Sequence, residues 1–156
     1  MNIVEWDPAL ARDFHDINAE WIEAMFELEE ADRLVLGNPQ GTIIAPGGTV
    51  LFVEAPGLGI IGTCALKPDD SGGFELTKMG VREAARGLKA GEFLLKRVIE
   101  RARQMSVGEL YLLTNKKCEA AIHLYEKLGF VHDAGVMERH GGGYCRCDVA
   151  MLYART

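Results

Sequence analysis

Between Val81 and Gly91 the chain reads Val-Arg-Glu-Ala-Ala-Arg-Gly-Leu-Lys-Ala-Gly, set between a run patterned as a strand and a run patterned as a helix. A loop in that setting presents unpaired backbone N–H groups at the positive end of a helix dipole, and a phosphate is its natural occupant. Gly87 and Gly91 let the backbone approach closely, while Arg82, Arg86 and Lys89 add local positive charge to a chain of net charge -6. For the glycines alone, a tight strand-to-helix turn with a solvated basic rim is the simpler reading.

The remaining reactive side chains form no site by spacing. Cys64, Cys118, Cys145 and Cys147 contain no Cys-x-x-Cys pair, and His15, His123, His132 and His140 follow no ligand pattern, so no metal is expected. Cys145 and Cys147 would share a face if their segment were a strand. Seventeen Lys and Arg against twenty-three Asp and Glu oppose a general nucleic-acid or anionic-membrane binder. No apolar run approaches the ~20 residues of a membrane span. The opening Met1 to Asp7 lacks the basic-then-apolar order of a signal peptide. The expectation is a cytoplasmic protein with its cysteines reduced and with neither nucleic acid nor membrane as partner.

These residues must be placed by the elements around them. At 156 residues and 48% hydrophobic, with no repeat or linker, the chain is expected to be one domain, 1-156, able to bury a core without staples. Asp7-Pro8 reads as an N-cap with proline at the first helical position. Leu10, Phe14, Ile17, Trp21, Met25 and Leu28 then recur at helical steps. Gly37-Asn38-Pro39 reads as a turn ending a second short helix. Three β-like runs follow, Thr49 to Glu54, Gly59 to Lys67 and Gly73 to Val81, separated by glycine-bearing turns. From Gly91 the period changes, with Leu94, Leu95, Val98, Ile99, Ala102 and Met105 on one helical face. Glu109 to Thr114 reads as a doubly buried strand, Glu119 to Leu128 as a helix stopped by Gly129, and Phe130 to Gly135 and Cys145 to Tyr153 as the last strands, joined by a loose loop at His140 to Gly143. A strand-helix-strand crossover around Gly91 requires a parallel pair within the sheet.

Two segments together resemble the hallmarks of the GNAT N-acetyltransferase superfamily. Val81, Arg86 and Gly91 are similar to its acetyl-CoA signature, an Arg or Gln followed by x-x-Gly-x-Gly/Ala five residues after a strand-ending valine. Ala121-Ile122-His123-Leu124-Tyr125-Glu126-Lys127-Leu128-Gly129-Phe130 resembles its A-x-x-L-Y-x-x-x-G-F helix end. The motifs stand in the family's order, with a strand between them, and the resemblance covers about residues 48 to 153. It implies an α/β (α+β) fold: a mixed, mostly antiparallel central sheet with helices on both faces and a splayed parallel strand pair.

The resemblance also implies roles. Acetyl-CoA is the implied cosubstrate, its pantetheine entering the wedge between the splayed strands beside the backbone of Met79, Gly80 and Val81. Arg86, Gly87, Leu88, Lys89, Ala90, Gly91 and Glu92 would receive the pyrophosphate, with Asn115 and Cys118 on the opposite wall. Donors aimed at the thioester oxygen would stabilise an oxyanion. A lysine-like acceptor has a pKa near ~10.4 and must lose a proton before it attacks. Glu75 matches the position of the family's frequent catalytic glutamate and would be the base, or else is a surface strand residue. Tyr125 matches the family's general acid and would protonate the departing thiolate, or else is a half-buried helix tyrosine whose ring packs in the core.

The sequence departs from the pattern at two places. Lys89 stands where the signature most often has glycine, which ordinary helical dihedrals or an outward side chain would accommodate. Cys118 replaces a frequent asparagine, so a pantetheine hydrogen bond is either missing or supplied by Asn115. A module that binds acyl-CoA without chemistry, or one that takes another acyl group, is the alternative to transfer onto a primary amine of a small molecule or peptide. The acceptor pocket is expected from Trp21, Phe26, Glu29, Asp32, Arg139 and His140, although the acidic run Glu27 to Asp32 also reads as a solvated face. An edge strand near the C-terminus leaves room for a homodimer.

Overall fold

The computed structural model describes residues 1–154. A seven-stranded sheet runs from β1 (Asn2–Glu5) through β2 (Thr49–Ala55), β3 (Gly59–Pro68), β4 (Phe74–Val81) and β5 (Leu110–Thr114) to β7 (Val149–Tyr153) and β6 (Phe130–His132). Every neighbouring pair is antiparallel except β4 and β5. The mixed, mostly antiparallel sheet with one parallel pair is the architecture that the motifs implied.

Period-two alternation divides the core between the two faces. Leu51 and Val53 point to the face covered by α3 (Ala90–Gln104) and α4 (Glu119–Lys127), where Leu94, Leu95 and Val98 pack. Val50 and Phe52 point to the other face, against Phe14 and Ile22 of α1 (Ala11–Met25) and Val35 and Leu36 of α2 (Glu30–Gly37). The Asp7 side chain accepts from the Ala9 N–H, so the expected cap is present, on a short 3₁₀ turn leading into α1.

The structure corrects three expectations. Asn2–Glu5 is a strand, pairing with β2 at the sheet edge. The segment after β6 is a helix, α5 (Ala134–His140), capped by the Asp133 carboxylate on the Val136 N–H at 3.0 Å, where a strand to Gly135 and a loose loop were expected. Strand β7 begins at Val149, so Cys145 and Cys147 lie in a turn and share no strand face.

Strand β4 is irregular along both of its edges. Its pairing with β5 is confined to Phe74 opposite Leu110 and Glu75 opposite Tyr111, after which the strands part. Its pairing with β3 slips, with Thr63 opposite Gly80 and Ala65 opposite Thr77. Lys78 and Met79 thus share the space opposite Cys64 as a β-bulge, with Lys78 at φ +53°.

Candidate active site

Where β4 and β5 part, a cleft of about 450 Å³ opens. Glu75, Met79, Gly80 and Val81 line one wall; Asn115, Cys118, Leu124 and Tyr125 line the other. Arg86 and Gly91 stand at its mouth, and Trp21, Phe26 and Tyr144 close its far end. The sheet creates this space by running out of hydrogen-bonded partners, which exposes strand N–H and C=O groups to anything that enters.

At the mouth, Arg86, Gly87, Leu88 and Lys89 are exposed, and Gly87 turns the chain at φ +89°. Lys89 is the residue preceding α3 and adopts φ +58°, so the expectation of ordinary helical dihedrals there is wrong. The left-handed conformation does the glycine's geometric work at a cost of about 1 kcal/mol. Ala90 is buried among the core side chains, so its methyl group does not reach the cleft mouth. The Glu92 carboxylate is held by Lys127 at 2.8 Å and Lys96 at 3.0 Å, which pull it well below the usual carboxylate range and leave its N–H as the useful group. Gly91 has no packing reason to lack a side chain. A Cβ there would meet Leu124 and Met79 only at ordinary contact, 3.7 and 3.8 Å, while projecting between the cleft walls. Arg82 is not available for an anion: it pairs with Asp13 at 3.2 Å and donates to the Ile60 carbonyl at 2.9 Å.

Glu75 and Tyr125 reach the cleft from opposite sides. Glu75 is half-buried at the cleft wall. Its burial raises the carboxyl above the usual range, a shift only partly offset by the charge of Lys78. The Tyr125 ring packs edge-on to Phe130, and its hydroxyl lies 4.0 Å from the Met79 sulfur. Burial pushes this phenol upward, so it stays protonated. Both Asn115 amide groups are engaged, the N–H₂ donating to the Arg146 carbonyl at 2.6 Å and the oxygen accepting from the Lys117 N–H at 2.9 Å. Cys118 precedes α4 and makes no side-chain cap bond.

The far end departs most from the sequence reading. Asp32 is fully buried, not part of a solvated acidic face. It accepts from Lys78 Nζ at 3.0 Å, from both Arg146 guanidinium nitrogens at 2.7 Å, and from the Glu29 N–H at 2.9 Å. Burial alone would raise this carboxyl, but the Arg146 hydrogen bonds and the Lys78 charge hold it at about 2. Glu29 accepts from the Cys145 and Arg146 N–H groups, latching the 144–148 segment onto α2. Lys78 also donates to the Tyr144 hydroxyl at 2.9 Å. Trp21, on the apolar stripe of α1, is a cleft wall held by its N–H donating to buried Asn18. Arg139 and His140 sit elsewhere: Arg139 pairs with Glu109, and His140 stacks on Tyr111 with ring centroids 4.1 Å apart. Lys78, Tyr144 and Arg146 were not anticipated. The one sequence signal near them is Glu29 and Asp32 flanking the start of an apolar run, a capping-box pattern that the structure shows formed.

Among the described residues no group of three or more His, Cys, Asp or Glu side chains is gathered to hold a metal, and no helix is long and apolar enough to cross a membrane. The acetyltransferase (GNAT) family model matches residues 5–130. The uncharacterized N-acetyltransferase YjgM of Escherichia coli is 32% identical over 149 residues, covering 94% of this chain and 87% of that protein. A GNAT-family acetyltransferase from Staphylococcus aureus superposes with a TM-score of 0.84 at 22% identity, covering 97% of this chain and 96% of the other. Salmonella typhimurium yncA, solved with its cofactor acetyl-CoA, superposes with a TM-score of 0.66 at 22% identity over 86% and 81% of the two chains.

A sheet split beside a helix N-terminus, together with these matches, defines an acyl-transferring enzyme of the acetyl-CoA-dependent class. The chain belongs to the acetyltransferase (GNAT) family.

Proposed function

We propose that this protein transfers an acetyl group from acetyl-CoA to a primary amine by direct attack, with Glu75 as base and Tyr125 as acid. The observation that carries the reading is the presence of these two side chains on opposite walls of one cleft, at the point where β4 and β5 cease to pair. Acetyl-CoA supplies the activated acyl group. The mouth suits its phosphates: Gly87 and Lys89 to Glu92 offer N–H groups at the start of α3, the Leu88 N–H being given to the Ala85 carbonyl, Arg86 stands exposed beside them, and Gly91 leaves a gap that a Cβ would fill. The parted edges of β4 and β5, at Met79 to Val81 and near Asn115 and Cys118, leave main-chain groups for the pantetheine amides.

Glu75, raised above an ordinary carboxylate, has the stronger affinity for a proton that a base taking one from an ammonium needs. Tyr125 keeps its proton at neutral pH, and it lines the wall of the cleft facing Glu75, where it can give that proton to a departing thiolate. Carrying two groups on facing walls brings proton removal and proton delivery to one reacting centre without an enzyme nucleophile.

The test is thiol release from acetyl-CoA against a panel of amines. Tyr125→Phe should lose roughly 10²-fold or more in kcat while its calorimetric affinity for acetyl-CoA holds. Turnover equal to that of the natural protein would remove Tyr125 from the mechanism. Tight acetyl-CoA binding with no turnover on any amine would leave a binding module.

A further inference from the structure

The acidic groups at the far end of the cleft are spent within the protein. Asp32 accepts four hydrogen bonds, and Glu29 accepts from two backbone N–H groups and from the Arg146 guanidinium. What remains for a ligand is a set of donors. Lys78 commits two of its three N–H groups, to Asp32 and to Tyr144. Because the Tyr144 hydroxyl accepts from an ammonium, its own proton must point elsewhere, and among the described residues it meets no acceptor. The charge of Lys78 also acts on Glu75, three positions away on the same strand. Of the carboxylates that line the cleft, Glu75 and Glu119, the latter at the start of α4, are the ones left for a second ammonium. A carboxylate would find Lys78 and Tyr144. Trp21, Met25 and Phe26 supply the apolar remainder of the wall.

We propose that the acceptor is a free amino acid with an apolar side chain, its carboxylate bound by the Lys78 ammonium and the Tyr144 hydroxyl while its amine faces Glu75. This rests on the acetyltransferase reading and names its substrate class. The Asp32–Arg146 pair positions both donors, since it fixes Lys78 from one side and the segment carrying Tyr144 from the other.

The experiment is a thiol-release panel of free amino acids, their amides, the matching decarboxylated amines, a short peptide and spermidine, each compared at equal concentration of free amine. Apolar amino acids should exceed their decarboxylated counterparts by about tenfold or more in kcat/KM, as expected for hydrogen bonds to a charged group. Tyr144→Phe should raise KM for the amino acid by about tenfold with kcat little changed, bringing the two substrates toward parity. Lys78→Met, checked for folding by circular dichroism, should raise KM likewise and, because the Lys78 charge acts on Glu75, should also move the acidic limb of kcat to higher pH. Turnover that favours the amines, the peptide or spermidine over amino acids overturns this inference and leaves the acetyltransferase reading intact. So does a Tyr144→Phe profile identical to the natural one. Bound acetyl-CoA with no turnover on any member overturns both.

Discussion

Asp32 and Lys78, separated by 46 positions in the chain, form an ion pair of 3.0 Å in which neither side chain reaches solvent appreciably. Arg146 closes the cluster from the opposite end of the sequence, so the Asp32 carboxylate bridges two cations contributed by β4 and by the segment before β7, the second of which Glu29 also holds at 3.2 Å. Removing the Asp32 carboxylate leaves buried Lys78 with no carboxylate partner and Arg146 with Glu29 alone. Asp32→Asn should destabilise the fold by about 3–5 kcal/mol, read as a lower urea midpoint with an unchanged slope. A midpoint within error of the natural protein would show that the pair is dispensable.

The same carboxyl sets an acid limit. Its pKa falls from 3.8 unfolded to about 2 folded, so the unfolded chain binds the proton more readily. The stabilisation, about 2 kcal/mol, is present above pH 4 and is lost as the pH drops through about 2. Denaturant midpoints measured across that window should fall in the natural protein and fall less steeply in Asp32→Asn.

Glu75 has the opposite sign. Its folded pKa is raised by burial, so ionising it costs stability as the pH climbs past the ordinary carboxylate range. Glu75→Gln should raise the melting temperature at pH 7.5 and give no gain near pH 4, while losing most of the turnover. Its removal should also abolish an acidic limb in kcat/KM lying above pH 4.5, the carboxyl's ordinary value. Equal stability of the two proteins at pH 7.5 would contradict the burial argument.

Gly91 lies in the first turn of α3, where alanine is the better helix former by about 1 kcal/mol. The added methyl has room against Leu124 and Met79, so Gly91→Ala should stabilise the apoprotein. It should also weaken acetyl-CoA binding, because that methyl projects into the cleft. Calorimetry and a melting curve on one sample decide both signs.

At Gly80 the constraint comes from the protein itself. A Cβ would lie 2.5 Å from Trp21 Cδ1 and 3.2 Å from Ile17 Cγ2, and the indole is anchored through Asn18. Gly80→Ala should cost about 1–3 kcal/mol and displace Trp21, which its fluorescence in a Trp6→Phe background would report.

Sequence reading reached the elements whose periodicity is strong, such as the Leu94, Leu95, Val98 and Ile99 face of α3, and the turn whose residue types announce it. It missed β1 because four edge residues with one partner strand carry little pattern. It missed α5 because that helix buries a single side chain, Val136, and ends in a run of glycines. Lys89 was legible as a departure but not as a left-handed residue, since only neighbouring geometry requires the positive φ. The Asp32 cluster was hidden for a different reason. Its members lie 46 and 114 positions apart, and no local spacing can announce a contact made by tertiary packing.

Those separations impose a schedule on assembly. The turn at Arg86 and α3 rest on β2, β3 and β4, which precede them in the chain, whereas the far end of the cleft needs a segment from the start of the chain and another from its last stretch. During synthesis β1 to β4 and α3 can assemble first, while β7, which lies between β5 and β6, and the Asp32–Arg146 pair wait for the last stretch to emerge, so a chain stalled short of Arg146 would hold one wall of the cleft and lack the other.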